Sequence, residues 1–282
     1  MKQLICDSGG TKSAWLLIEG GLDLSEFTTD GINPAVNSHE HIMDVLAAVP
    51  QTLGALADDV NHVWFYGAGC VRGAIDEMRE AINAVLPSAE VNVESDMLGA
   101  ARALCQRSEG IACILGTGAN SCYYDGEKIR QNTPALGYIL GDEGGGAVLG
   151  RTLINHLYKG VMPETMRKTF EYEMNTDIGT IIEHVYRRPQ ANKYLASFTH
   201  FLSAHRDNEQ IHKMLLECFG QFFSKNIDPY GRRDLPVNFI GSLAYHFRAE
   251  LIEAAHAKGY RLGVIVQSPL AGLALYHRTI ER

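Results

Sequence analysis

Apolar residues fall along this chain in short runs that alternate first with glycine-bearing turns and then with helical stripes. Residues 4 to 20, LICDSGGTKSAWLLIEG, read as an apolar run, a turn with glycine and threonine, a second apolar run and a second glycine turn. Residues 111 to 126, IACILGTGANSCYYDG, repeat that order, with Asp7 aligned on Gly116 and Gly9 on Gly118. A buried run that is broken by a glycine turn and then resumed reads as a β-hairpin, so the chain is expected to carry two. A third strand is expected to complete each meander, at 24–29 and 128–133. Each half then turns helical, with Val71, Ile75, Met78, Ile82 and Val85 on one stripe in the first and Leu243, Phe247, Leu251 and Ala254 in the second.

Further short strands, at 63–66, 90–93, 237–240 and 262–266, alternate with these helices, which implies α/β architecture with mixed sheets covered by helices. The simplest arrangement is a duplicated β-β-β-α-β-α-β-α unit, one copy starting at residue 1 and the other near 110. Two domains follow, 1–107 and 108–269. The stretch of about 163–228 is almost wholly helical, with Ile211, Met214, Leu215, Cys218 and Phe222 on one stripe, and reads as an insertion in the second domain. The final helix, 270–282, is assigned to the first domain, and a hinge is expected near 105–110.

A length of 282 residues allows two domains of ordinary size. With 46% apolar and 21% charged residues the chain can form a packed core. A net charge of −8 and a pI near 5.8 argue against nucleic acid or an anionic membrane as the main partner. The longest apolar runs fall far short of the roughly 20 residues of a membrane span. The N-terminal residues reach Asp7 and two glycines too early for a secretory leader, so a cytoplasmic location is expected. Six cysteines without a Cys-x-x-Cys pair read as reduced core thiols. The eleven histidines show no ligand spacing; His39, His41, His200 and His205 read as solvated or structural.

The candidate chemistry sits in the turns. In Asp7-Ser8-Gly9-Gly10-Thr11-Lys12-Ser13 the glycines let backbone N–H groups approach an anion, Thr11 and Ser13 offer hydroxyls and Lys12 adds charge. Asp7, at a strand end, could hold a hydrated Mg2+, which is usually bound by one or two carboxylates, waters and substrate phosphates. Gly116-Thr117-Gly118-Ala119-Asn120 is the matching second turn, and two such hairpins are harder to explain by turn geometry than one. Asp96 follows the strand 90–93 and opens a helix of small residues, where it could be a catalytic carboxylate or a helix cap. Asp142 could equally be a cap, with Glu143 favourable to the helix dipole. Gly241-Ser242, after the strand 237–240, would let a helix N-terminus approach a nucleotide.

The run Leu136-Gly137-Tyr138-Ile139-Leu140-Gly141-Asp142-Glu143-Gly144-Gly145-Gly146, about 20 residues after the GTGxN turn, resembles the BadF/BadG-type ATPase family, which includes the N-acetylglucosamine kinases. Asp7 to Thr11 is similar to that family's first phosphate motif, Gly116 to Asn120 to its second, and Ile240-Gly241-Ser242 to its adenosine motif. Glu94 to Ala101 and Ser268 to Ala274 also match. The resemblance implies two ribonuclease H-like (actin-like ATPase) domains with an interdomain cleft that closes on its substrates, ATP and Mg2+ as cofactors, and phosphorylation of an amino sugar. It implies Asp96 as general base, nucleotide contacts from Asp7, Gly9, Gly10, Thr11, Lys12, Gly116, Thr117, Gly118, Gly241 and Ser242, and Asp7 as the Mg2+ residue, through water. The sugar is expected at Asn33 or Asn37, Asn120, Gly137, Asp142 and Gly146. A homodimer is expected by analogy.

The pattern departs from the family where amino-sugar kinases carry Gly-Gly-Trp-Gly and this chain has Pro134-Ala135-Leu136-Gly137. A Leu does not present the flat surface of a Trp, so the wall of the sugar site differs. Ser8 also stands where a third glycine is common, and Gly145 where serine is. N-acetylglucosamine 6-kinase activity is therefore the leading expectation, with glucosamine or N-acetylmuramic acid as alternative substrates. Two other functions fit the fold: an iron-sulfur ATPase activator of a dehydratase or reductase, which would need matching cysteines, and a non-catalytic sugar sensor.

Overall fold

The computed structural model describes residues 1–71 and 73–278; residues 279–282 of the predicted final helix lie outside the described residues. The chain forms two compact units, one of residues 1–108 with 125–129 and the segment from 268 onward, the other of residues 109–124 and 130–267.

The first unit is built on a five-stranded sheet of β1 (Lys2–Ser8), β2 (Lys12–Glu19), β3 (Leu22–Asp30), β4 (Val60–Gly67) and β5 (Glu90–Ser95), in the order β3-β2-β1-β4-β5. The three-strand meander is antiparallel, and β4 and β5 add parallel to β1. Central strands are apolar on both faces because both faces are covered. Leu4, Cys6, Trp15 and Leu17 pack with α1 (His39–Leu53) and α2 (Ala74–Val85), while Ile5, Leu16, Ile18 and Tyr66 face the other way. The edge strand β3 alternates exposed and half-buried residues, as a one-sided strand should. α1 starts where Ser38 accepts a hydrogen bond from the His41 N–H, and buries Ile42, Val45, Leu46, Val49 and Leu53. α3 (Asp96–Cys105) follows β5 directly.

The second unit repeats the plan. Its strands β6 (Gly110–Leu115), β7 (Ala119–Tyr124), β8 (Ile129–Thr133), β9 (Val237–Ile240) and β10 (Leu262–Val266) run β10-β9-β6-β7-β8, the same order read from the other edge. Between β8 and β9 come α4 (Gly137–Leu140), α5 (Gly146–Tyr158), α6 (Glu164–Glu173), α7 (Ile178–Arg187), α8 (Ala191–Ser197), α9 (Thr199–Ala204) and α10 (Glu209–Phe222). All five residues of the predicted α10 stripe are buried, and this unit's core gathers Phe170, Phe198, Phe201, Phe219, Phe222, Phe223 and Phe239. α11 (Ser242–His246) and α12 (Arg248–Ala257) lie between β9 and β10, and α13 (Leu270–Arg278) then returns to the first unit, packing on α3, β1 and β2.

Two expected stripes need correction. Val71 is not on α2: Gly73, at φ 81°, precedes the helix start at Ala74, and Val71 is 62% exposed. The stripe from Leu243 to Ala254 is two helices, not one, since Phe247 departs from helical geometry between α11 and α12 while its ring stays buried. No helix among the described residues is long and apolar enough to cross a membrane.

Candidate functional site

In the first unit the parallel strands β1, β4 and β5 end together, with Asp7 opposite Tyr66 and Tyr66 opposite Glu94. Side chains at such strand ends converge where ligands gather in α/β sheets. Asp7 is half-buried, and burial together with the charge of Asp96 pushes its pKa up to about 7. Asp96 is the first residue of α3, but it is not the cap; Ser95 takes that role by accepting from the Leu98 N–H at 3.2 Å. The Asp96 carboxylate instead accepts from the Met97 N–H at 2.8 Å. Burial raises its pKa, against the pull of the backbone N–H groups. Two neighbouring carboxylates that are costly to ionise are a suitable seat for a divalent cation, which would relieve both burial and repulsion.

The first turn is anchored from below. Ser8, fully buried, hydrogen-bonds the Ser13 hydroxyl at 2.6 Å, the Ile32 carbonyl at 2.8 Å and the Ile32 N–H at 3.0 Å. Gly31 lies so close that a Cβ there would stand 2.4 to 2.6 Å from the backbone of Gly9, Thr11 and Lys12. Gly10, Thr11 and Lys12 form the exposed tip. Neither Gly9 nor Gly10 has a positive φ, and a side chain at Gly10 would meet nothing within 4 Å. The fold does not demand glycine at Gly10, and the space beside it is open. In the loop after β3, the Asn33 carbonyl oxygen Oδ1 accepts from the Ala35 N–H at 3.0 Å, and Asn37 Oδ1 accepts from the Asn33 N–H at 2.7 Å. Both amide side chains therefore shape this loop.

In the second unit the Gly116 to Gly118 turn is tied to the start of α5, whose Gly146 and Ala147 N–H groups donate to the Gly116 and Thr117 carbonyls at 2.8 and 2.9 Å. Asp142, at φ 54°, does not cap α5; Gly145 stands at that position. Its carboxylate accepts from the backbone N–H groups of Ala119 and Gly137, and burial outweighs them to raise its pKa. A Cβ at Gly118 would stand 2.6 Å from its Oδ2, so any side chain there would displace the carboxylate. Although burial opposes it, the Glu143 carboxylate is held below its ordinary pKa by backbone bonding, Lys225 and Asn226. Asn120 Oδ1 accepts from Asn132 Nδ2 and the Ser121 N–H, both at 2.9 Å. Gly137, at φ 75°, opens α4 beside Leu136, which is 58% exposed.

A cavity of about 330 Å3 within this unit is lined by Gly116, Thr117, Gly146 and Ser242 from the predicted motifs, and by Thr199, His200, Ser203, Leu243 and Phe247 among others. Gly146, expected at the sugar, thus lies with the Gly116 to Gly118 turn and the start of α11. Gly241, at φ 121°, brings α11 so close to β6 that a Cβ would stand 2.2 Å from the Leu115 carbonyl oxygen. Sequence reasoning missed the wall from α8 and α9. His200, read as solvated or structural, faces this cavity, and no spacing along the chain signals that. His205 does pair with Glu173, at 2.8 Å.

Two sheets of identical order, each opening with a hairpin whose turn carries glycine, agree with the duplicated actin-like ATPase architecture that the sequence resemblance implies. No family model matches the chain, and no curated protein does. Among solved structures, a provisionally named N-acetylglucosamine kinase of Porphyromonas gingivalis shares 44% identity over 99% of both chains, with a TM-score of 0.96. A similarly named protein of Chromobacterium violaceum is 19% identical over 98% of both, TM-score 0.75, and a ROK family glucokinase of Streptomyces griseus, in complex with glucose and AMPPNP, is 17% identical over 98% of both, TM-score 0.63. The last two show the shared fold. The first shows more: the chain belongs to the N-acetylglucosamine kinase-like, BadF/BadG-type ATPase family.

Proposed function

We propose that this chain, an ATP-dependent sugar kinase by family, transfers the γ-phosphoryl group of ATP to the 6-hydroxyl of N-acetylglucosamine in the cytoplasm, with Asp96 as general base. The observation that carries the reading is Asp96 itself, a carboxylate at the C-terminal edge of a parallel sheet, beside Asp7, with its proton affinity raised by burial. Phosphoryl transfer asks a protein for positioning, charge neutralisation and a proton acceptor. Asp96 accepts the hydroxyl proton as the sugar oxygen attacks phosphorus, and a raised pKa makes it the stronger base for that step. Asp7 would hold Mg2+ through water; the ion, when bound, neutralises charge on the phosphate oxygens.

The exposed Thr11 hydroxyl and Lys12 ammonium on the first turn, and the Thr117 hydroxyl on the second, suit phosphate oxygens. The cavity beside Gly116, Thr117 and Ser242 suits the nucleoside, with the Phe247 ring as its apolar floor. Asp142, Gly137, Asn120 and either Asn33 or Asn37 would face the sugar. Division of the chain into domains 1–107, completed by the final helix, and 108–269 accompanies this reading, as does a homodimer.

The test is a coupled ADP-release assay over N-acetylglucosamine, glucosamine, N-acetylmuramic acid, N-acetylmannosamine and glucose. The panel matters because Leu136 replaces the flat aromatic wall. Asp96→Asn is expected to lower kcat by about 10²- to 10⁴-fold while nucleotide still binds. Turnover within threefold of the unmodified protein would place the base elsewhere.

A further inference from the structure

The helix that starts with Asp96 is gripped, along the rest of its length, by the last helix of the chain. One turn beyond Asp96, Gly99 rests on the Tyr66 ring, where a Cβ would stand 2.8 Å from it. One turn further, Arg102 Nη1 donates to the Tyr66 hydroxyl at 2.9 Å, which leaves the phenol hydrogen to donate to His277 Nε2, also 2.9 Å away. His277 is fully buried on α13 and stacks on Trp64 at 4.3 Å between ring centres. Burial, reinforced by the charges of Arg102 and Arg107, pushes its pKa down to about 3, so it is a neutral acceptor at working pH. At the far end of α3 the Gln106 amide donates to the Gly272 carbonyl at 2.9 Å, and Arg107 Nη1 donates to the Tyr276 hydroxyl at 2.7 Å. A Cβ at Gly272 would stand 2.5 Å from the Ala103 carbonyl oxygen, so the two helices cross with no side chain between them.

Apolar packing of Met97, Ala100, Ala101 and Cys105 already seats α3 on the sheet. A buried polar chain adds little net stability beyond such packing, and Arg102 Nε and His277 Nδ1 have no partner in it, but its two bonds at the Tyr66 hydroxyl close only when α3 and α13 stand at one separation, and so favour a single setting of the helix. Tyr66 is the joint, standing in β4 directly beside Asp7 of β1 and bonded to both α3 and α13. On the reading that Asp96 is the general base, we infer that Arg102, Tyr66 and His277 are positioning residues: the hydrogen-bonded chain through Tyr66 fixes α3, and with it the Asp96 carboxylate, at the setting that phosphoryl transfer needs. The segment most distant in sequence from Asp96 thereby governs it.

A misplacement of about 1 Å at a reacting group can cost about 10²-fold in rate, so loosening the joint is read in kcat. Tyr66→Phe removes one oxygen and both hydrogen bonds while keeping the ring. It is expected to lower kcat about tenfold or more, with KM for sugar and for ATP within about twofold, at a temperature where thermal melting shows the variant fully folded. His277→Leu, which removes the acceptor, is expected to fall similarly, and His277→Gln, which can still accept from Tyr66, to recover most of the loss. An unchanged kcat in Tyr66→Phe overturns the inference, as does a loss confined to KM. If Tyr66→Phe fails to fold, equal kcat for the two His277 variants overturns it. Asp96→Asn, run in the same assay, separates the two claims: if it kills turnover while Tyr66→Phe does not, the positioning role fails and the base stands; if it keeps turnover, the base assignment itself is wrong.

Discussion

Asp7 makes the folded protein work against itself, and the size of the effect can be worked out. Its carboxyl is carried from the ordinary 3.8 to about 7 by burial and the charge of Asp96. A shift of that size is about 4 kcal/mol at 1.36 kcal/mol per unit. Part of the side chain still meets water, so about 2 to 4 kcal/mol is expected. Because the folded state binds this proton more tightly than the unfolded one, stability attributable to Asp7 falls as pH rises from about 4 to about 7 and is level above that. Asp7→Asn removes the charge while nearly keeping the shape. Urea unfolding of both proteins, without nucleotide or metal, from pH 4 to pH 8 should show the variant gaining on the parent by about 2 to 4 kcal/mol across that range. Most of the change should fall below pH 7. The variant should be the more stable protein at pH 8 and, if Asp7 holds the metal, the less active one. Parallel stability curves would refute the reasoning, because they would mean that Asp7 is as well solvated folded as unfolded.

Two further substitutions test the turns. Ser8→Ala strips the Ile32 N–H and carbonyl of their buried partner and should cost about 2 to 3 kcal/mol in the same urea assay; a cost under about 0.5 kcal/mol would mean that the anchor is idle. Gly118→Ala places a carbon 2.6 Å from Asp142 Oδ2 and should raise the sugar KM about tenfold or more by displacing that carboxylate, whereas an unchanged sugar KM with altered ATP KM would move Asp142 out of the sugar site.

What could be read from the sequence was what local physics decides. The two hairpins were legible because a buried run, a glycine turn and a second buried run leave few alternatives, and the observed register, Asp7 opposite Ala14 and Leu115 opposite Ala119, is that of tight turns. Asp96 was legible as a strand-end carboxylate, and the structure gives the cap to Ser95 beside it. Tertiary placement was not legible. His200 and Ser203 reach the cavity beside the second turn only because α8 and α9 fold back there, and no periodicity encodes that return. Ser8 stands where a third glycine is common in the family it resembles, and nothing local shows that its hydroxyl makes three buried hydrogen bonds to residues up to 24 positions away. Val71 fitted the apolar spacing of α2 by coincidence, since Gly73 ends any helix that would include it.

The bond between α5 and the Gly116 to Gly118 turn has a consequence for how an anion would be gripped. The leading amides of that helix, ordinarily the donors offered to a passing phosphate, are already spent on the Gly116 and Thr117 carbonyls. The loop inherits stiffness from a thirteen-residue rod, and any slide of that rod along its axis would drag the loop with it. Tightness of grip and seating of the rod are thus a single mechanical variable, adjustable from residues that never meet the nucleotide.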